Sequence, residues 1–78
     1  MARAQRHPHQ AFGERVRSLR SRLDLTQEEL GAIAGLHRTY IGGVERGERN
    51  VSLNNILRLA RALDVDPSEL VTTLPDPS

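Results

Sequence analysis

The residues of this chain best suited to chemistry are its arginines. All eleven basic side chains are Arg and none is Lys. A guanidinium is planar and permanently charged, and it donates in a fixed fork that matches a phosphate or the O6/N7 edge of guanine. Coding bias in a GC-rich genome gives the same preference without any ligand, so the positions matter more than the count. Arg38, Arg46 and Arg49 fall within twelve residues, interleaved with His37, Thr39, Tyr40 and Asn50. That gathers charged and hydrogen-bonding side chains in one short stretch. No matching set exists for catalysis. The three histidines, the single tyrosine and the scattered carboxylates form no nucleophile–base pair at a recognisable spacing, and no glycine loop is arranged to cradle a nucleotide phosphate. His7 and His9 offer too few ligands for a metal, and cysteine is absent. The expectation is a non-enzymatic binding protein with no catalytic residue, no metal and no cofactor.

The charge distribution agrees. The net charge is +1, but its sign alternates along the chain: +5 over residues 1–22, −3 over 23–34, +3 over 35–61 and −4 over 62–78. A folded chain can therefore gather its arginines on one face. Seventy-eight residues allow one domain. No run of apolar residues is long enough to span a membrane, and residues 1–10 lack the apolar core of a signal peptide, so a cytoplasmic location is expected.

The elements that position these side chains read as helices. Phe12, Val16, Leu19 and Leu23 recur on one helical face, giving a first helix from about His9 to Leu23. Thr26-Gln27-Glu28-Glu29 is a capping box that opens a second helix, with Leu30 and Ile33 inward and Gly35 as its stop. Gly31 is small where two helices must cross closely. A third helix runs from about His37 to Arg46, with Ile41 and Val44 as anchors and Arg38, Thr39, Gly42, Gly43 and Arg46 outward. Ser52 caps a fourth, whose inward set reads as Leu53, Ile56, Leu57, Ala60 and Leu63. Asp66-Pro67-Ser68-Glu69 starts a short fifth, about Pro67 to Thr72. Residues 1–9 read as a flexible arm, 10–73 as the domain and 74–78 as a tail. Arg3 and Arg6 of the arm are candidates for the minor groove, with functionless disorder as the plainer reading.

Two short helices joined by a glycine turn make a helix-turn-helix, whose second helix fits the major groove. At Thr26-Gln27-Glu28-Glu29-Leu30, Ala34 to Ile41 and Val44-Glu45-Arg46-Gly47 the chain resembles the lambda-repressor/Cro-type helix-turn-helix regulators. From Leu36 to Asn50 it is most similar to the controller proteins of restriction-modification systems. The resemblance implies an all-α, five-helix domain that binds double-stranded DNA as a dimer on a pseudo-palindromic operator. It implies that Gln27 contacts phosphate and braces the recognition helix. Arg38 and Thr39 would read bases, with His37 at that helix's edge. Tyr40 would lie against the DNA backbone, and Arg46, Arg49 and Asn50 would grip phosphates. It further implies a structural pair, Arg20 with Glu45, and dimerisation through the fifth helix and its flanks, where Val65, Leu70, Val71 and Leu74 finish the core, form the dimer seam or share both roles. Gly42 and Gly43 depart from the commoner family pattern. Gly43 stays among the DNA-contacting positions because bare backbone can approach a duplex, although a merely tolerated small residue is the simpler reading. Glu28 and Glu29 are a candidate acidic contact for RNA polymerase. The competing function is an antitoxin-like or protein-interaction module on the same fold, which would carry an apolar stripe on the third helix in place of Arg and polar residues.

Overall fold

A computed structural model describes residues 7–72, 74 and 75. Arg3 and Arg6 and residues 76–78 of the tail lie outside the described residues. Within them the expected all-α architecture is present as α1 (Pro8–Arg22), α2 (Gln27–Ala34), α3 (Arg38–Glu45), α4 (Leu53–Ala62) and α5 (Ser68–Val71). α1 packs on α3 and α5, and α2 packs on α3 and α4. This arrangement holds α3 from two sides.

Each helix starts where side-chain oxygens or nitrogens meet its free amides. The Thr26 hydroxyl accepts the Glu29 N–H at 3.0 Å, and the Glu29 carboxylate accepts the Thr26 N–H at 2.8 Å, completing the capping box. Ser52 accepts the Asn55 N–H at 3.1 Å. Gly35, at φ 75°, closes α2 in the left-handed conformation as expected. α1 begins earlier than the periodicity suggests. Pro8 and His9, assigned to the arm, are helical, because proline at the first position has a pre-set φ and no amide to satisfy. His7 caps this helix reciprocally with Gln10. α5 is shorter than expected. Its entry is held by Asp66, whose carboxylate accepts the Ser68 N–H at 2.9 Å. This hydrogen bond keeps the Asp66 pKa below its ordinary value. The bond therefore supports the fold at neutral pH and is lost as pH falls through that lowered pKa.

The core consists of Phe12, Val16 and Leu19 from α1, Leu30 and Ala34 from α2, Ile41 and Val44 from α3, Leu59 and Ala60 from α4, then Leu63 and Leu70. Four residues expected inward are not. Leu23 is 46% exposed, Ile33 59%, Leu53 70% and Leu57 46%. On α4, Ile56, Ala60 and Leu63 face the core as expected, whereas Leu53 and Leu57 do not. Ile56, Leu59, Ala60 and Leu63 share the i, i+3, i+4, i+7 spacing of the set that starts at Leu53, and it is this second set that faces the core. Leu53 and Leu57 border this face, with Asn54, Arg58 and Arg61 opposite, so the apolar arc is wider than the strip that meets the core. On α2, the side facing α3 and α4 is built on Leu30, Gly31 and Ala34, which leaves Ile33 in solvent.

Two glycines set how closely the helices approach. A Cβ on Gly31 would lie 2.4 Å from the Leu36 carbonyl oxygen, so α2 meets the backbone of the turn into α3. A Cβ on Gly13 would lie 2.1 Å from the Val44 carbonyl oxygen and 2.8 Å from that of Glu45. The first helix thus rests directly on the C-terminal backbone of α3.

Candidate nucleic-acid interface

α3 is held as a shelf. Ile41 and Val44 are buried beneath it, and its N-terminus is closed by His37, whose Nδ1 accepts the Thr39 N–H at 3.1 Å and sits 2.8 Å from the Thr39 hydroxyl. Its C-terminal end is braced by the Arg20–Glu45 pair. Arg20 Nε donates to Glu45 at 2.6 Å and Nη2 at 3.0 Å, while Nη1 donates to the Leu25 carbonyl at 2.8 Å. The two side chains are only 15% and 4% exposed. The hydrogen bond to Glu45 is the main cause that raises the Arg20 pKa, so the guanidinium stays charged inside this partly buried site. Gln27 Nε2 donates to the same carboxylate at 3.0 Å. Helices α1, α2 and α3 are therefore tied at one point.

The outward face begins with Arg38, whose side chain is 63% exposed and whose closest acidic neighbour is Glu28 at 3.8 Å, also largely in solvent. Thr39 is exposed beside it. Tyr40 is half-buried against the core, and its hydroxyl accepts from Asn55 Nδ2 at 3.0 Å. Arg49 stacks on its ring with the guanidinium carbon 5.4 Å from the ring centroid. Gly42 and Gly43, expected to be outward and bare, are buried. The covering groups come from the segment just after the helix. Arg46 Nη1 lies 3.1 Å from where a Gly42 Cβ would be, and Arg49 Nε lies 3.2 Å from the Gly43 position. The two arginines fold back over the middle of α3 and occupy the space that longer side chains would take.

A helix-turn-helix family model matches residues 16–70. The chain belongs to the helix-turn-helix family, of the lambda-repressor/Cro type. This helix-turn-helix chain is 52% identical over 61 residues to control protein C.SmaI of Serratia marcescens, covering 78% of this chain and 73% of that one. It is 58% identical to the restriction-modification controller protein C.AhdI of Aeromonas hydrophila. The crystal structure of C.AhdI superposes with a TM-score of 0.78 over 80% of this chain and 94% of the other. The P22 c2 repressor in complex with a synthetic operator is 35% identical and aligns with a TM-score of 0.73 over 77% of this chain and 91% of that one.

In this helix-turn-helix protein the residues expected at the interface fall into two groups. His37, Arg38, Thr39, Arg46, Arg49 and Asn50 lie on α3 or the segments flanking it, with side chains at least partly in solvent. Gln27 and Tyr40 are engaged within the fold, the first with Glu45 and the second with Asn55. Three contributors were not apparent in the sequence. Asn55 fixes Tyr40. Arg15 Nε donates to the Glu69 carbonyl at 2.8 Å and ties α5 to α1. Glu48 pairs with Arg46 through Nε at 3.0 Å and Nη2 at 3.2 Å. Arg46 in turn holds the Glu48 pKa below its ordinary value. None of the three belongs to a periodic pattern. The one local cue was Gly47, at φ 78°, the turn across which the Arg46–Glu48 pair closes.

The residues expected at a partner's surface also separate. Leu70 is 1% exposed and fills the core of its own chain, while Val65 and Leu74 are partly buried against that core. Val71 is 41% exposed. No helix among the described residues is long and apolar enough to cross a membrane.

Proposed function

We propose that this protein regulates transcription as a homodimer, with one α3 from each copy in successive major grooves of a pseudo-palindromic operator, and that it controls a restriction-modification operon. The observation that carries the reading is the outer face of α3. It is anchored from below by Ile41 and Val44 and presents Arg38 and Thr39 to solvent, with Arg46 and Arg49 beside them. A pure protein-interaction module would present apolar side chains there. Similarity to C.SmaI and C.AhdI supports the controller assignment. The protein acts by binding and not by catalysis, in the cytoplasm where its DNA lies. Glu29 is committed to the capping box, so Glu28, with its side chain 74% exposed, is the residue we assign to a contact with RNA polymerase. Selection from random duplexes followed by footprinting tests the reading. The expected result is an inverted repeat with half-sites about 34–36 Å apart. An unstructured or single half-site footprint argues against it.

The dimer reading draws support from apolar side chains that the single chain leaves in water. Leu53 and Leu57 stand one turn apart on α4, and Val71 is exposed on α5. Exposed leucines at i, i+4 lose hydration cost when a second copy covers them, by roughly 25 cal/mol per Å² of apolar surface. Leu57→Glu is expected to sediment as a folded monomer at tens of micromolar where the parent is a dimer. A parent chain that is itself monomeric with and without DNA, or a Leu57→Glu variant that remains dimeric, contradicts this placement of the seam.

A further inference from the structure

The Arg46–Glu48 pair points to a device for setting DNA affinity. The Glu48 carboxylate takes two donors of Arg46, Nε and Nη2, in the same forked arrangement that a phosphate accepts. The third nitrogen, Nη1, lies against Gly42. Both side chains are well exposed, at 61% and 59%, so the pair is within reach of a duplex docked on α3. Gly42 lets the tip of the guanidinium approach the helix, since a Cβ there would sit 3.1 Å from Nη1 and 3.9 Å from Cζ. Gly47 makes the turn across which the pair closes.

We propose that Glu48 is an intramolecular stand-in for a DNA phosphate: it holds Arg46 across Gly42 in the free protein and lowers affinity for DNA. The inference rests on the DNA-binding reading above. To offer a phosphate this same Nε/Nη2 fork, Arg46 must leave Glu48, and the released carboxylate then stands beside the polyanion. The exchange replaces one anion partner with another and leaves a new negative charge to be screened. The net gain from Arg46, and the net release of counterions, are both reduced. Glu48 thus tempers an arginine-rich surface that would otherwise hold any duplex.

The test measures binding to a duplex selected from random sequence, and to an unselected duplex of equal length, from low to moderate salt. The proteins are the full chain, Glu48→Gln, Arg46→Ala and the double variant. All of these positions are exposed, and a thermal melt checks that each variant folds. Glu48→Gln is expected to bind both duplexes about 3–10-fold more tightly at low salt, with a salt slope steeper by about one. In the Arg46→Ala background most of that gain is expected to vanish, because Glu48 acts through Arg46. Saturable binding by the parent with no gain in Glu48→Gln overturns this inference alone. So does an equal gain in both backgrounds, which would mark Glu48 as one more repelling charge. Absence of saturable binding by the parent removes the DNA-binding reading and this inference together.

Discussion

Gly13→Ala is expected to destabilise the domain by about 3 kcal/mol or more, at or above the upper end for overpacking. Alanine is the better helix former by about 1 kcal/mol, so propensity alone predicts a gain. The packing reverses the sign. The added methyl would lie 2.1 Å from the Val44 carbonyl oxygen and within 3 Å of two Glu45 backbone atoms. Backbone at both sides cannot rotate away, so α1 must lift off α3, and the seat of Phe12 and Val16 lifts with it. For a domain of this size the loss corresponds to roughly 12–24 °C in melting temperature. Gly42→Ala is the internal control. Its Cβ meets the end of the flexible Arg46 side chain, which can move, so the same substitution is expected to leave stability unchanged or raise it by up to about 1 kcal/mol. Thermal melts of the two variants side by side check both signs. A Gly13→Ala protein as stable as its parent would mean that the α1–α3 contact is not backbone-close.

Glu45→Ala is expected to cost about 3–5 kcal/mol, because it strands the Arg20 guanidinium in a site where that side chain is only 15% exposed. An exposed pair would give about 0–1 kcal/mol. The difference comes from desolvation. Arg20 would keep the Leu25 carbonyl but lose two charge-assisted bonds, and Gln27 would lose its acceptor as well. The loss is expected to persist in high salt, since ions reach partly buried charges poorly. Arg20→Lys, with Glu45 kept, is expected to lose much of the same stability, because an ammonium cannot reproduce the fork. Urea titrations at low and high salt measure both. A change below about 1 kcal/mol that disappears with salt would place the pair at the surface. In a domain holding only about 5–10 kcal/mol in all, the larger figure also predicts weakened DNA binding near physiological temperature, through loss of folded protein.

The sequence was most legible where local chemistry is decisive. Thr26 to Glu29, Gly35, Ser52 and Asp66 each announce a helix end through one or two hydrogen bonds, and each does so in the structure. The Arg20–Glu45 brace followed from resemblance, and its geometry is now explicit. Legibility failed where the outcome depends on which side of an element meets a neighbour. α4 carries Leu53 and Leu57 just beside its core face, so its period is plain and the edge of its buried strip is not. Leu70 reads equally as core or seam, because nothing in the chain's order says that α1 packs against α5, and it proves to be core. Gly42 and Gly43 were read as bare because the residues covering them, Arg46 and Arg49, fold back from a loop that carries no periodic signal. Gly13, inside a helical pattern beside Phe12, is itself a local cue to close packing.

The central claim is that α3 is buried on one side by Ile41 and Val44 and reads DNA with the other through Arg38. Titration of the parent and Arg38→Ala against a selected duplex and a random one, at fixed low salt, tests it most directly. The expected result is saturable binding by the parent, and for Arg38→Ala a loss of about 1–3 kcal/mol on the selected duplex with little change on the random one. Equal losses on both duplexes, or no saturable binding by the parent, would contradict it.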